Sequence, residues 1–169
     1  MPFNPVFYPD TLTENFTWAE ASITTHRDIE NEIPEELISI IRNTAYGMER
    51  IRTLIGLPIS ISSWYRGSEL NKAVGSEDTS QHLKGEAVDW ICPKFGTPLK
   101  LVQKLIQFRE YINYDQLILE HNWVHTSFQS NPDIHSRGQV LSLLKNRDPK
   151  TGRKYADGVT DNMGNPYYA

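Results

Sequence analysis

The stretch Ser80-Gln81-His82-Leu83-Lys84-Gly85-Glu86-Ala87-Val88-Asp89 sets an imidazole and a carboxylate seven residues apart, with a glycine between them. Asp89 falls in an apolar run from Ala87 to Ile91 that reads as a buried strand. A carboxylate placed there needs a partner, because an unpaired buried charge is very costly. A metal ion is one such partner. Cys92 is the only cysteine, so an intrachain disulfide and a Cys-based zinc site are both excluded, and any metal must be held by His and carboxylate.

A second imidazole can reach the same place. Gln116 to Leu119 and Trp123 to Phe128 read as two strands, and a two-residue turn at His121-Asn122 would set Glu120 across from Trp123 and Ile118 across from His125. Glu120, Trp123, His125 and Ser127 would then share one face, with the free carboxylate of Glu120 diagonal to the His125 ring at roughly 7 Å. The candidate ligands are His82, Asp89 and His125. Two imidazoles, one carboxylate and a water make a four-coordinate site with an open position, as catalytic zinc is usually held.

Several elements must position these side chains. Thr17 followed by Glu20 is a capping-box pattern that starts a short helix up to Ile23. From Pro34, Leu37, Ile41, Ala45, Met48, Ile51 and Ile55 recur at helical steps until Gly56 and Pro58 end the main core helix. Arg42, Arg50 and Arg52 read as its solvated face rather than a nucleic-acid stripe. Ile59 to Ser63 alternates as a strand, and Ser68 to Val74 has the composition of a short helix. Leu99, Val102, Leu105 and Ile106 mark a second amphipathic helix ending near Arg109. The expected fold is α+β, a small antiparallel sheet carrying the metal site and packed against two main amphipathic helices. Residues 1–16 read as an irregular arm. Val140 to Leu144 reads as one or two helical turns, and Lys145 to Ala169 shows little periodicity. The expected organisation is one domain over 1–130 and a polar C-terminal extension over 131–169, packed on the surface or partly flexible. Contact with an anionic surface through Lys145, Arg147, Lys150, Arg153 and Lys154 is the second reading of that extension.

Ser80, His82, Gly85, Ala87 and Asp89 together resemble the S-x-H-x-x-G-x-A-x-D signature of the D-Ala-D-Ala carboxypeptidase family of zinc peptidases. Trp123-Val124-His125-Thr126-Ser127 is similar to that family's second motif. Ser63-Trp64-Tyr65-Arg66, with Leu70-Asn71 and Val74-Gly75, resembles its S-x-Y-R…L-N…V-G stretch. Phe16-Thr17 with Glu20, and Ile51-Arg52 before Gly56, resemble the opening of the branch typified by the carboxypeptidases themselves. The resemblance covers roughly residues 15 to 128, and three ordered motifs are a far stronger signal than one.

The resemblance implies that His82, Asp89 and His125 hold one Zn2+ per chain. It aligns Arg66 with an arginine that contacts the substrate carboxylate or the developing oxyanion, the alternative being a structural salt bridge. Ser80 would orient a ligand or substrate group through its hydroxyl, Gly85 would permit the turn that brings His82 back toward Asp89, and Trp64, Tyr65 and Trp123 would line the groove, with Ser127 nearby. The pattern departs in one place. Several family members carry the acid/base residue three positions before the last histidine, where this chain has Asn122. Glu upstream of W-V-H occurs in the branch this chain most resembles, so the base is assigned to Glu120, with Asp115 and His121 as the other candidates.

The activity so implied is metal-dependent hydrolysis of peptidoglycan stem peptides or cross-links, in a phage or prophage endolysin or a virion-borne hydrolase. Seventeen Lys plus Arg against twenty-one Asp plus Glu give a net charge of -4, which argues against nucleic acid as a partner. The N-terminus lacks a signal-peptide pattern and no segment approaches membrane-spanning length, so the expectation is a monomer made in the cytoplasm that meets the cell wall in the periplasm after the membrane is permeabilised. Two other readings stand beside this one. A non-haem iron oxygenase also uses two His and a carboxylate, though the usual close spacing of its first His and carboxylate is absent here. A catalytically degenerate cell-wall-binding or virion structural module is kept open by Asn122.

Overall fold

The apolar positions of the main helix fix the architecture. The computed structural model describes residues 11–131 and 133–167; the first ten residues of the expected N-terminal arm lie outside the described residues. Five helices, α1 (Trp18–Ala21), α2 (Ile38–Ile55), α3 (Ser68–Ala73), α4 (Pro98–Ile106) and α5 (Arg109–Ile112), accompany six strands, β1 (Ser60–Ser63), β2 (Ala87–Ile91), β3 (Gln116–Leu119), β4 (Val124–Ser127), β5 (Gln139–Leu143) and β6 (Tyr155–Asp157). Ile41, Ala45, Met48, Ile51 and Ile55 of α2 are buried in the core, together with Leu101, Val102 and Leu105 of α4. Gly56, at φ 68°, closes α2 with the left-handed turn that only glycine adopts without strain. Thr17 and Glu20 form the reciprocal capping box at α1. Arg50 leaves the expected solvated face: its Nε donates to the Ile112 carbonyl at 3.0 Å and ties α2 to α5.

The sheet runs β1-β2-β4-β3-β5-β6. It is antiparallel except between β3 and β5, which run parallel. The hairpin register expected from the sequence is the one observed, with Ile118 opposite His125 and the Glu120 amide donating to the Trp123 carbonyl at 3.1 Å.

The extension after residue 130 differs from the helical turn and loose surface segment read from its sequence. Gln139–Leu143 is a strand, and with Tyr155–Asp157 it extends the antiparallel unit into a six-stranded mixed sheet. Val140 and Val159 pack against the core and Leu141 is buried, and polar and charged contacts, which hydrophobic periodicity does not detect, add to the attachment. Asp115, 1 % exposed, accepts from the Arg137 backbone and guanidinium, and the Asp115 carbonyl accepts from the Gln139 amide at 2.9 Å. Burial pushes the Asp115 carboxyl up, but its bonds from Arg137 and Gln81 outweigh that and hold it below its ordinary value. No described helix is long and apolar enough to cross a membrane.

Candidate metal centre

Asp89 in β2 pairs directly with His125 in β4, and His125 pairs with Ile118 in β3, so three neighbouring strands present one face to the site. His82 arrives from outside the sheet on the short 3₁₀ turn Gln81–Lys84. The Ser80 hydroxyl accepts from the His82 amide at 3.3 Å and starts that turn, and Gly85 ends it at φ 70°. A Cβ at Gly85 would stand 2.5 Å from Cγ1 of Ile41 on α2, so both the backbone conformation and the close approach require glycine. The Gly85 carbonyl is in turn fixed by the Thr44 hydroxyl at 2.9 Å and the Trp64 indole at 3.1 Å.

The donor atoms converge. His82 Nε2 lies 3.3 Å from His125 Nδ1 and 3.3 Å from Asp89 Oδ1, and His125 Nδ1 lies 2.8 Å from Asp89 Oδ1. These three atoms can hold a metal ion. Tetrahedral bonds of about 2.0–2.1 Å set neighbouring ligand atoms roughly 3.3 Å apart, close to this triangle. The tautomer fits as well. His82 Nδ1 lies 2.6 Å from the Trp64 carbonyl, which can only accept, so the proton sits on Nδ1 and the Nε2 lone pair faces the triangle. Burial also lowers the pKa of His82. Burial alone would raise the pKa of Asp89, but His82 and His125 hold the carboxyl well below the usual carboxylate range. The chain therefore presents a lone pair, an ionised carboxylate and an imidazole whose shared proton a cation can displace, which is the donor set that zinc takes.

Arg66 stands beside this triangle. Its Nη2 donates to Asp89 Oδ2 at 2.6 Å and its Nε to the Ser63 hydroxyl at 2.8 Å, which leaves Oδ1 directed at the two imidazoles. The segment carrying Arg66 is clamped by Asn31, whose amide donates to the Tyr65 carbonyl and accepts from the Gly67 amide. Asn31 carries no sequence signal, because a single polar residue in a loop has no spacing to read.

The triangle opens into a cleft of about 380 Å³. Arg66, Glu120 and Trp123 line it, and Ser80 reaches its edge. Glu120 is 7 % exposed. Burial pushes its carboxyl up to about 7, the nearby Asp89 adding to the rise while His125, Lys154 and Arg66 oppose it. Of the other base candidates, Asp115 is occupied by Arg137 and Gln81 away from the cleft, and His121 lies outside it.

Two residues expected to line the groove, Trp64 and Tyr65, stand in the core, and Ser127 lies within the sheet. The Trp64 ring is fully buried in the core and supports the site from behind, through its carbonyl on His82 and its indole on the Gly85 carbonyl. Tyr65 is also buried and outside the cleft, while Ser127 is fully buried and accepts from the Gln116 amide at 3.1 Å. Both Trp64 and Tyr65 lie beyond the end of β1 at Ser63, where strand alternation no longer sets the facing of successive side chains, and both turn into the core while Arg66 turns to the cleft. The structure adds Leu143, Lys154 and Tyr155 to the cleft, none of which was singled out as a cleft residue.

A family model described as Peptidase M15 matches residues 13–127. No curated protein matches the chain. The match contains the three donors, Arg66 and Glu120, and ends before Leu143, Lys154 and Tyr155. The family consists of zinc-dependent peptidases that act on peptidoglycan. Donor triangle, cleft carboxylate and matched span thus agree, and the chain belongs to the peptidase M15 family, that of the zinc D-Ala-D-Ala carboxypeptidases.

Proposed function

We propose that this protein is a zinc metallopeptidase that hydrolyses peptide bonds in peptidoglycan stems or cross-links, one Zn2+ serving each chain, and that it works as a phage or prophage endolysin. The observation that carries the reading is the donor triangle of His82, Asp89 and His125 opening into the same cleft as Glu120. His82, Asp89 and His125 would hold the ion. When bound, zinc supplies Lewis acidity toward a carbonyl oxygen and a water, together with positive charge that favours the ionised form of a neighbouring acid.

The remaining work falls to side chains. Glu120 takes the proton of the attacking water and delivers it to the amine nitrogen as the C–N bond breaks, a role open to a buried carboxyl that lines the same cleft as the donor triangle. The Arg66 guanidinium has donors beyond those spent on Ser63 and Asp89, and these meet the negative charge that grows on the carbonyl oxygen. Trp123 offers an apolar surface to the substrate. Glu120 also answers the presence of Asn122, since the carboxylate stands two positions earlier on the rim of the hairpin. In this reading a monomer meets the cell wall in the periplasm, after the membrane has been permeabilised.

Purified sacculi incubated with the zinc-loaded protein test the proposal, with the released fragments identified by mass spectrometry. Soluble stem-peptide fragments are expected. Glu120→Gln should keep its zinc while cleavage falls by about 10²–10⁴-fold. Undiminished cleavage by that variant removes Glu120 as the base, and intact sacculi with the wild-type protein remove the peptidase reading.

A further inference from the structure

One wall of the cleft comes from outside the span that the family model matches. Leu143 of β5 pairs with Tyr155 of β6, the Leu144 amide donates to the Lys154 carbonyl at 3.0 Å, and Leu143, Lys154 and Tyr155 line the cleft that holds the donor triangle. Val74, Gly75 and Ser76, which follow Ala73 at the end of α3, line the same cleft. The hairpin is held in place by its own polar bonds: the Ser142 hydroxyl donates to the Gly158 carbonyl at 2.8 Å and accepts from the Thr160 amide at 2.9 Å.

The charge on this wall is unspent. Arg66, the other cation of the cleft, is engaged by Asp89. Lys154 makes no ion pair among the described residues; its ammonium stands 5.6 Å from the Tyr155 ring centroid, near enough to Glu120 to favour that group's ionised form. Tyr155 contributes a donor. Burial, with Glu120 and Asp89 nearby, pushes its phenol up to about 12, so the hydroxyl keeps its proton throughout the neutral range. An ammonium and a phenolic O–H on one wall make a surface complementary to an anion.

We propose that Lys154 and Tyr155 are specificity-determining residues that recognise a carboxylate on the peptide substrate, beside the bond that is cut. The inference rests on the peptidase reading and deepens it. The carboxylate has two sources, the C-terminal α-carboxylate of a stem peptide or a side-chain carboxylate within it. A C-terminal source makes the wall a device for removing terminal residues, and a side-chain source makes it a device for internal cleavage.

The test uses one muropeptide in three forms: unmodified, amidated at its C-terminus, and amidated at its side-chain carboxylates. The wild-type protein is expected to prefer the unmodified form over one amidated form by about tenfold in kcat/KM, mostly through KM, and the form that is discriminated identifies the source. In Lys154→Gln that ratio should collapse toward one, with zinc content and thermal midpoint unchanged. Tyr155→Phe should reduce it by a smaller factor. A Lys154→Gln protein whose preference survives, or whose only change is a shifted pH midpoint common to all three forms, overturns the proposal, because Lys154 then acts on Glu120 and not on the substrate. Binding of the same three muropeptides to zinc-loaded Glu120→Gln protein separates the two levels. Charge-selective binding without wild-type cleavage sinks the peptidase reading and leaves the wall, whereas cleavage without preference sinks the wall alone.

Discussion

The floor of the cleft and its C-terminal wall are built by different physics. On the floor, His82, Asp89 and His125 are buried and cross-braced, each held by a second contact: the Trp64 carbonyl for His82, Arg66 for Asp89, and strand pairing on both sides for His125. In the wall, Tyr155 is partly buried, Lys154 is exposed, and the hairpin is fastened to the sheet largely by hydrogen bonds and by Arg137 on Asp115. A floor of this kind fixes donor positions to within the tolerance of a metal ion. A wall of this kind adds charge and shape at little cost to folding. The chemistry of the reaction is thus assigned to the rigid part and the choice of substrate to the adaptable one.

The sharpest way to break this division is to remove a floor ligand. His82→Ala deletes one corner of the donor triangle, and the protein should lose its zinc on dialysis and with it all measurable cleavage of sacculi. Metal analysis alongside the cleavage assay checks both. Lys154→Gln measured in parallel should retain stoichiometric zinc. If the wall variant also loses metal, the two regions are one unit and the division fails.

A pair of glycines compares the floor with the cleft-lining turn after α3. Gly85 and Gly75 have nearly the same backbone, φ 70° and 69°, but a Cβ on Gly85 meets Ile41 at 2.5 Å while one on Gly75 meets nothing within 4 Å. Gly75→Ala should therefore cost only the left-handed backbone term, about 1–2 kcal/mol. Gly85→Ala adds overpacking against the core helix, and a total of about 2–4 kcal/mol is expected. Urea unfolding of the metal-free proteins reads the difference, which isolates the contact between the ligand-bearing turn and α2. Equal losses would mean that the turn is not braced by the core.

The same division governs what the sequence reveals. Floor residues announce themselves through local signals: β2 is an uninterrupted apolar run around Asp89, and the two-residue turn at His121-Asn122 sets the register of Ile118 against His125. Residue type at fixed spacing, with Gly85 between His82 and Asp89, then narrows the chemistry. A motif identifies neighbours in sequence but not their facing, and past the end of β1 Trp64 and Tyr65 turn into the core while Arg66 turns to the cleft. Lys154 and Tyr155 were not legible as cleft residues because the Val140-Leu141-Ser142-Leu143 run is too short to separate strand from helix by period, and its partner strand Tyr155–Asp157 is held through backbone and polar groups such as the buried Ser142 and Thr160. The parallel pairing of β3 with β5 is non-local and leaves no short-range trace.

The anchor of the wall gives the gentlest test. Arg137 binds the buried Asp115, but half of the guanidinium side chain is exposed at 51 %, so solvent screening limits what its loss can cost. Arg137→Gln should lower the local stability of the hairpin by about 1–2 kcal/mol, a five- to thirtyfold rise in amide exchange at Gln139–Leu143 with β2 amides unaffected. The pH dependence has a definite sign. The folded-state value of Asp115 is depressed, so the native protein binds fewer protons there than the unfolded chain, and the stabilisation is present above the unfolded value of about 3.9 and lost as pH falls through the lower folded value. In the wild-type protein β5 protection should therefore fall selectively in acid, below about pH 4, and in Arg137→Gln that acid-dependent part should be smaller because most of the bonds that depress Asp115 are gone. Equal acceleration of β2 and β5 exchange in the variant would show that Arg137 supports the whole sheet rather than the attachment of its last two strands.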